Sequence, residues 1–145
     1  MAKLELTGMD ELIKQLYAIG ERVAIRAENR ALKEGAKVLQ EEISRRAPRS
    51  AIPRQPSGRQ TWRTGKHAAD NIETSNVRTD KNGVKFVLVG AGKGDNSPYF
   101  YLKFHEWGTT KMSAKPFMGP AIETKQGEVF DTMANVLREE IEKRR

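Results

Sequence analysis

From Glu21 to Arg46 the chain runs without a proline, and its apolar residues return at steps of three and four. Ala24, Ala27, Ala31, Gly35 and Val38 fall on one stripe; Ile25, Leu32, Ala36, Leu39 and Ile43 fall on the next. That spacing fits the 3.6-residue turn of an α-helix and not a strand, whose side chains alternate every second residue. Pro48 stops it, since proline has no N–H to donate and its ring clashes with the preceding turn. A helix over this span is about 39 Å long. It presents a wide apolar arc, and a chain of 145 residues has to arrange everything else along it. The first stripe consists of small residues, so another backbone can approach closely there. That backbone belongs either to the chain's own sheet or to a neighbouring subunit.

Shorter elements flank this helix. Lys3 to Thr7 alternates as a short edge strand does, and Gly8 ends it. Met9 to Ile19 reads as a helix with Leu12, Ile13, Leu16 and Ile19 on one side, with Asp10 and Glu11 in the first turn where the helix dipole favours acids. Residues 48–66 (PRSAIPRQPSGRQTWRTGK) hold three prolines, two glycines and no periodicity, and read as a long loop. His67 to Asn71 begins a short helix or leads directly into a strand. Ile72 to Thr79 and Val84 to Gly90 read as strands joined by Asp80-Lys81-Asn82-Gly83, a hairpin signal because Asn and Gly tolerate positive φ. Ala91 to Pro98 is a Gly-rich connection. Tyr99 to Glu106 fits a short helix or a strand equally well, and Trp107 to Lys115 reads as a loop. From Pro120 a last helix runs nearly to the end, with Ile122, Phe130, Met133, Leu137 and Ile141 as its stripe; Gly127 weakens it by about 1 kcal/mol relative to Ala. The fold class is α+β: one domain over residues 1–145, with a long N-terminal and a C-terminal helix on a small, mostly antiparallel sheet.

Composition excludes several classes. No run approaches the ~18 apolar residues a membrane span needs, and MAKLELTGMDELIK has neither the basic start nor the apolar core of a secretory signal. There is no Cys, hence no disulfide framework and no thiolate chemistry. Net charge is +7, from 26 basic and 19 acidic residues. Its placement is informative: between Glu42 and Asp70 there is no acid, while Arg45, Arg46, Arg49, Arg54, Arg59, Arg63 and Lys66 all fall in that gap. A local run of this kind fits a polyanion or an acidic protein surface; a solvated loop without a partner is the plainer alternative.

The remaining question is whether FHEWGTTKMSAKPFMGPAIE (104–123) is an active-site loop. His105 and Glu106 are adjacent, so on any regular element they point in different directions, which is poor geometry for a base and its orienter. His67 and His105 are the only histidines, too few for a zinc site without Cys. GAGKGD (90–95) lacks the Ser/Thr and the following helix of a phosphate-binding loop. The Arg-rich segment with Trp62 suits non-specific phosphate contact, but it matches no base-reading motif. No cofactor, no metal, no small-molecule substrate, no membrane contact and no catalytic residue are expected.

One combination is distinctive. GMDEL is followed by the Ala-rich helix ending in Ala47-Pro48, then TGKHAADNI, a hairpin ending in VLVG, PYFYLKFHEWGT, and KPFMGPAI. This resembles a family of small proteins of long-tailed bacteriophages and prophages known as neck, head–tail connector or tail-completion proteins. The family pattern is an aromatic pair, then Glu-aromatic-Gly-Thr, a variable loop, and Pro-Phe-x-x-Pro-Ala. Here those positions are Tyr99, Tyr101, Glu106, Trp107, Gly108, Thr109, Pro116, Phe117, Pro120 and Ala121. The basic Pro-rich stretch at 48–63 departs from the family's usual shorter turn. The resemblance implies a non-enzymatic virion protein made in the host cytoplasm and placed at the head–tail junction. It further implies a homo-oligomeric ring, a hexamer, contacting head-completion or connector proteins on one side and tail-terminator or tail-tube proteins on the other.

Within that reading, Glu106, Trp107, Gly108, Thr109, Pro116, Phe117 and Pro120 form a rigid corner that places a loop against a neighbouring subunit or against the chain's own core. Glu106 holds the loop through backbone N–H groups, and Gly108 supplies a sharp turn. The arginine run contacts packaged DNA or an acidic neighbour. The rival reading is a free, non-specific DNA-binding protein acting through residues 45–66; a small hydrolase would need His105 and Glu106 to converge with a nucleophile.

Overall fold

A computed structural model describes residues 2–6, 8–49, 58, 64–92, 99 and 101–144. The elements are β1 (Ala2–Glu5), α1 (Asp10–Ile19), α2 (Glu21–Arg46), a 3₁₀ turn (Ala68–Asn71), β2 (Ile72–Thr74), β3 (Arg78–Thr79), β4 (Lys85–Ala91), α3 (Leu102–Trp107) and α4 (Met118–Glu142). Helices and a four-stranded antiparallel sheet make an α+β fold.

The long helix is present with the limits its periodicity predicts, and α4 runs antiparallel along it. Arg30, early in α2, reaches Glu139 at 3.1 Å and Glu140 at 2.8 Å late in α4, while Arg46 at the other end reaches Thr124 at 3.2 Å. The small-residue stripe is what lets the two helices approach. Ala24, Ala27 and Ala31 are wholly buried inside this chain, so the stripe is not a face left for a neighbour. A Cβ built on Gly35 would lie 2.8 Å from Met133 Cγ in α4 and 3.4 Å from Leu4 Cδ2 in β1, so glycine fits where three elements meet. Leu16, Leu32, Ile43 and Leu137 are also fully buried, each contributing about 1.5–3 kcal/mol.

Charge is buried in pairs. Glu28 of α2 is 5% exposed and bonds Lys85 of β4 at 2.8 Å, which ties the helix to the sheet. Glu140 of α4, 8% exposed, takes Arg30. Burying a carboxylate costs several kcal/mol unless a cation compensates it, so each acid arrives with its partner.

In the sheet β4 is central, with β1 on one side and β2 and β3 on the other. The Ile72–Thr79 strand expected from sequence is two short strands. Thr74 faces Val89 and Arg78 faces Phe86, so three residues on one side oppose two on the other, a β-bulge. Ser75 spans the gap: its N–H donates to Leu88 O at 2.8 Å and its hydroxyl accepts from Leu88 N–H at 2.9 Å. The hairpin turn forms as expected. Gly83 has φ +82°, and Asp80 Oδ1 accepts the N–H groups of Asn82 and Val84 at 2.8 and 2.9 Å.

Four further expectations need correction. Ile19, placed on the apolar side of α1, is 41% exposed, since Gly20 ends the helix there and α2 begins at once. Ile25 of α2 is likewise 37% exposed, near that helix's start. On α4, Met133, Leu137 and Ile141 are buried but Ile122 and Phe130 are 38% and 43% exposed. The stripe is continuous in sequence; this chain covers only its C-terminal half. The last helix also begins two residues earlier than Pro120, at Met118.

Candidate functional site

The segment singled out by sequence is a corner between α3 and α4. The undecided Tyr99–Glu106 stretch becomes helix α3 from Leu102. Gly108 ends it with φ +75°, its N–H donating to Phe104 O at 2.8 Å. A Cβ here would sit 2.8 Å from Ala114 N and 3.0 Å from Met112 O, both backbone atoms that cannot swing aside. Only glycine combines that φ with that approach. Beyond it, Thr109 and Met112 exchange backbone hydrogen bonds, the Thr109 hydroxyl accepts Lys111 N–H at 3.2 Å, and Lys115 N–H donates to His105 O at 2.7 Å.

Glu106 then explains why Glu-aromatic-Gly-Thr and Pro-Phe-x-x-Pro occur together. The start of a helix leaves four backbone N–H groups without an intrahelical acceptor. In α4 these belong to Phe117, Met118, Gly119 and residue 120. Glu106 Oε2 accepts from Phe117 at 2.8 Å and Met118 at 2.9 Å, and Oε1 accepts from Gly119 at 3.0 Å. The fourth position is Pro120, which has no N–H to satisfy. One carboxylate and one proline therefore complete the helix start, and the negative charge lies at the positive end of the helix dipole. Burial opposes ionisation of Glu106, but the three N–H bonds outweigh it and hold the carboxyl below the ordinary glutamate range. Phe117, 4% exposed, anchors the junction in the core. The expectation that Glu106 holds the loop through backbone N–H groups is met.

The seven corner residues thus divide by direction. Glu106, Gly108, Phe117 and Pro120 build the corner from within, and Thr109 braces its tip. Trp107 and Pro116 face outward, and Trp107 is 73% exposed. Trp107 closes α3, so the stretch expected as a loop from Trp107 begins one residue later, and its indole is left largely uncovered. Behind the corner, the Tyr99 and Thr64 hydroxyls lie 2.9 Å apart and link it to the TGKHAADNI segment. His105 lies beside Glu106, whose carboxylate is already engaged by three donors, so the two do not converge as an acid–base pair.

The basic segment divides differently. Glu42, 5% exposed, takes Arg45 at 2.5 Å and Arg46 at 2.6 Å, and Asp70 takes Arg49 at 2.7 Å. The two acids that bound the acid-free gap in sequence therefore hold three of its arginines. Hydrogen bonds from Arg45 and then Arg46 lower the Glu42 carboxyl to about 2, and the bond from Arg49 lowers Asp70. Lys66 is exposed. Arg54, Arg59 and Arg63, Trp62, and most of the 48–66 loop lie outside the described residues, as do Lys93 to Pro98 of the Gly-rich connection. Beside the Arg49–Asp70 pair is an open polar groove of about 460 Å³ lined by Lys37, Gln40, Ser44 and Arg45. Among the described residues no group of three or more His, Asp or Glu is placed to hold a metal ion, and no helix is long and apolar enough to cross a membrane.

Two long antiparallel helices on a small sheet, with a braced corner between α3 and α4, make a small α+β protein. Residues 10–108 match the family described as "Bacteriophage HK97-gp10, putative tail-component". The chain belongs to this HK97-gp10-like family, a family of tail-related, virion-associated structural proteins of bacteriophage. The match ends at Gly108, so the Pro116–Ala121 motif and α4 lie beyond it. No curated protein matches the chain, and no solved structure matches it.

Proposed function

We propose that this protein is a non-enzymatic structural component of the head–tail junction, acting in neck formation or tail completion as a ring that lets the tail join the DNA-filled capsid. The observation that carries the reading is the α3–α4 corner, where a carboxylate, a proline and a left-handed glycine fix the junction beside Trp107, a large side chain at the end of α3 that points into solvent. Rigid aromatic anchors of this kind concentrate binding energy at protein interfaces. A closed ring needs two different faces that meet head to tail, and the corner supplies one. Six subunits, with connector and tail proteins as neighbours, follow from the family resemblance.

The competing reading is non-specific DNA binding through residues 45–66. Engagement of Arg45, Arg46 and Arg49 by the chain's own acids favours assembly over DNA. Electron microscopy of lysates from a phage deleted for this gene is the direct test. Filled heads lying apart from tails, or tails of abnormal length, support the junction role. Normal infectious particles refute it, and duplex-DNA binding that weakens steeply with salt would then favour the rival.

A further inference from the structure

Among the described residues nothing requires a glycine at position 127 of α4. A Cβ built on it meets nothing within 4 Å, yet glycine inside a helix costs about 1 kcal/mol relative to Ala. It lies on the exposed side of α4, one turn before the exposed Phe130. Glu123 and Asp131, one turn to either side, share its helix row about 12 Å apart. Both are exposed and neither makes an ion pair among the described residues, whereas the nearby Glu128 is held by Lys125. The glycine therefore leaves a notch beside Phe130 with acidic edges.

The α3–α4 corner has the opposite character. Trp107 is exposed, and Lys111 and Lys115 of the loop that follows it are exposed and make no ion pair among the described residues. Its one acid, Glu106, is consumed by the helix start. We infer that the notch around Gly127 on α4 receives the Trp107 corner of a second copy of this chain. The indole lies over the glycine beside Phe130, and Lys111 and Lys115 face Glu123 and Asp131. The contact is heterologous, since corner and notch are different surfaces, and it is the kind of contact that closes a ring or extends a helix of subunits. It rests on the proposal that the protein assembles with itself.

The chain has no cysteine of its own, so introduced ones report a single contact. Trp107→Cys and Gly127→Cys variants of the full chain, each checked for wild-type melting, are treated with a short bis-maleimide alone and mixed, while native mass spectrometry reads the oligomer. A cross-linked pair that forms only in the mixture supports the inference. Trp107→Cys linking to itself as efficiently as to Gly127→Cys overturns it in favour of a two-fold contact. A closed oligomer without the mixed cross-link overturns this contact and leaves ring assembly standing. A chain that stays monomeric at every concentration overturns both. Independently, Lys111→Glu with Lys115→Glu weakens self-association at least tenfold, and Glu123→Lys with Asp131→Lys in the same chain restores it. Absence of that rescue also counts against the pairing.

Discussion

Glu106→Ala removes the single acceptor of three backbone N–H groups at the start of α4. Loss of a helix N-cap costs about 0.5–2 kcal/mol, and an unsatisfied buried donor costs about 1–3 kcal/mol. Three donors lose their partner here, but Glu106 is only partly buried, so water recovers some of the loss. The expected destabilisation is about 2–3 kcal/mol, set by the low end of the per-donor cost. At about 2–4 °C per kcal/mol for a domain near this size, the melting temperature falls by roughly 4–12 °C. Glu106→Gln keeps one acceptor oxygen and loses the charge, so it falls about half as far. Thermal denaturation followed by circular dichroism at pH 7 measures both.

The same variant carries a pH signature. The folded-state pKa of Glu106 is depressed, so its stabilisation is fully present above the ordinary glutamate value of about 4.3. It is lost as pH falls through the lower folded value. The melting gap between wild type and Glu106→Ala therefore closes on acidification below about pH 4. A Glu106→Ala protein that melts within about 1 °C of wild type at pH 7, or a gap that persists in acid, would refute the capping account.

Gly108→Ala introduces a Cβ 2.8 Å from Ala114 N at φ +75° and should cost about 1–3 kcal/mol, read as a lower melting temperature; an unchanged value would mean the loop relaxes freely. Gly127→Ala should do the reverse, raising stability by about 1 kcal/mol because the added methyl meets open space, and a lower melting temperature would show that the site is not open. Lys85→Met leaves Glu28 buried without its cation and should cost about 3–5 kcal/mol by urea denaturation; adding Glu28→Gln should recover part of the loss. Glu42, lowered to about 2 by Arg45 and Arg46, stabilises the fold above the ordinary glutamate range and loses that contribution as pH falls from there toward 2. An Arg45→Gln, Arg46→Gln variant should show a smaller loss over that window in an acid titration of stability.

Local rules settled much of this molecule from the sequence alone. The period of three and four over Glu21–Arg46, stopped by Pro48, fixed α2 residue by residue, because helical periodicity and a missing N–H act within one turn. Asp80 to Gly83 announced its hairpin, because positive φ at Gly83 is a property of the residue itself. Gly108, Pro120 and the single carboxylate of Glu106 were legible as the parts of a corner. Why they belong together became clear only when Glu106 was seen to take the N–H groups of residues 117–119, eleven to thirteen positions away. The bulge at Ser75 was hidden, since both readings of 72–79 have the same alternation and only the register against β4 separates them. The α4 stripe shows the limit most plainly. Ile122 and Phe130 carry the same periodic signal as Met133 and Leu137, and periodicity states which residues share a face without stating what covers it. The arginines show it for charge: a run of one sign in sequence has no fixed reach in space, and the fold turned Glu42 and Asp70 back onto it. Sequence determined the elements and the corner's chemistry through short-range sterics and hydrogen-bond supply. Tertiary structure decided which faces the chain keeps for itself and which, like Trp107 and the notch at Gly127, it leaves open, because burial depends on the three-dimensional meeting of distant segments.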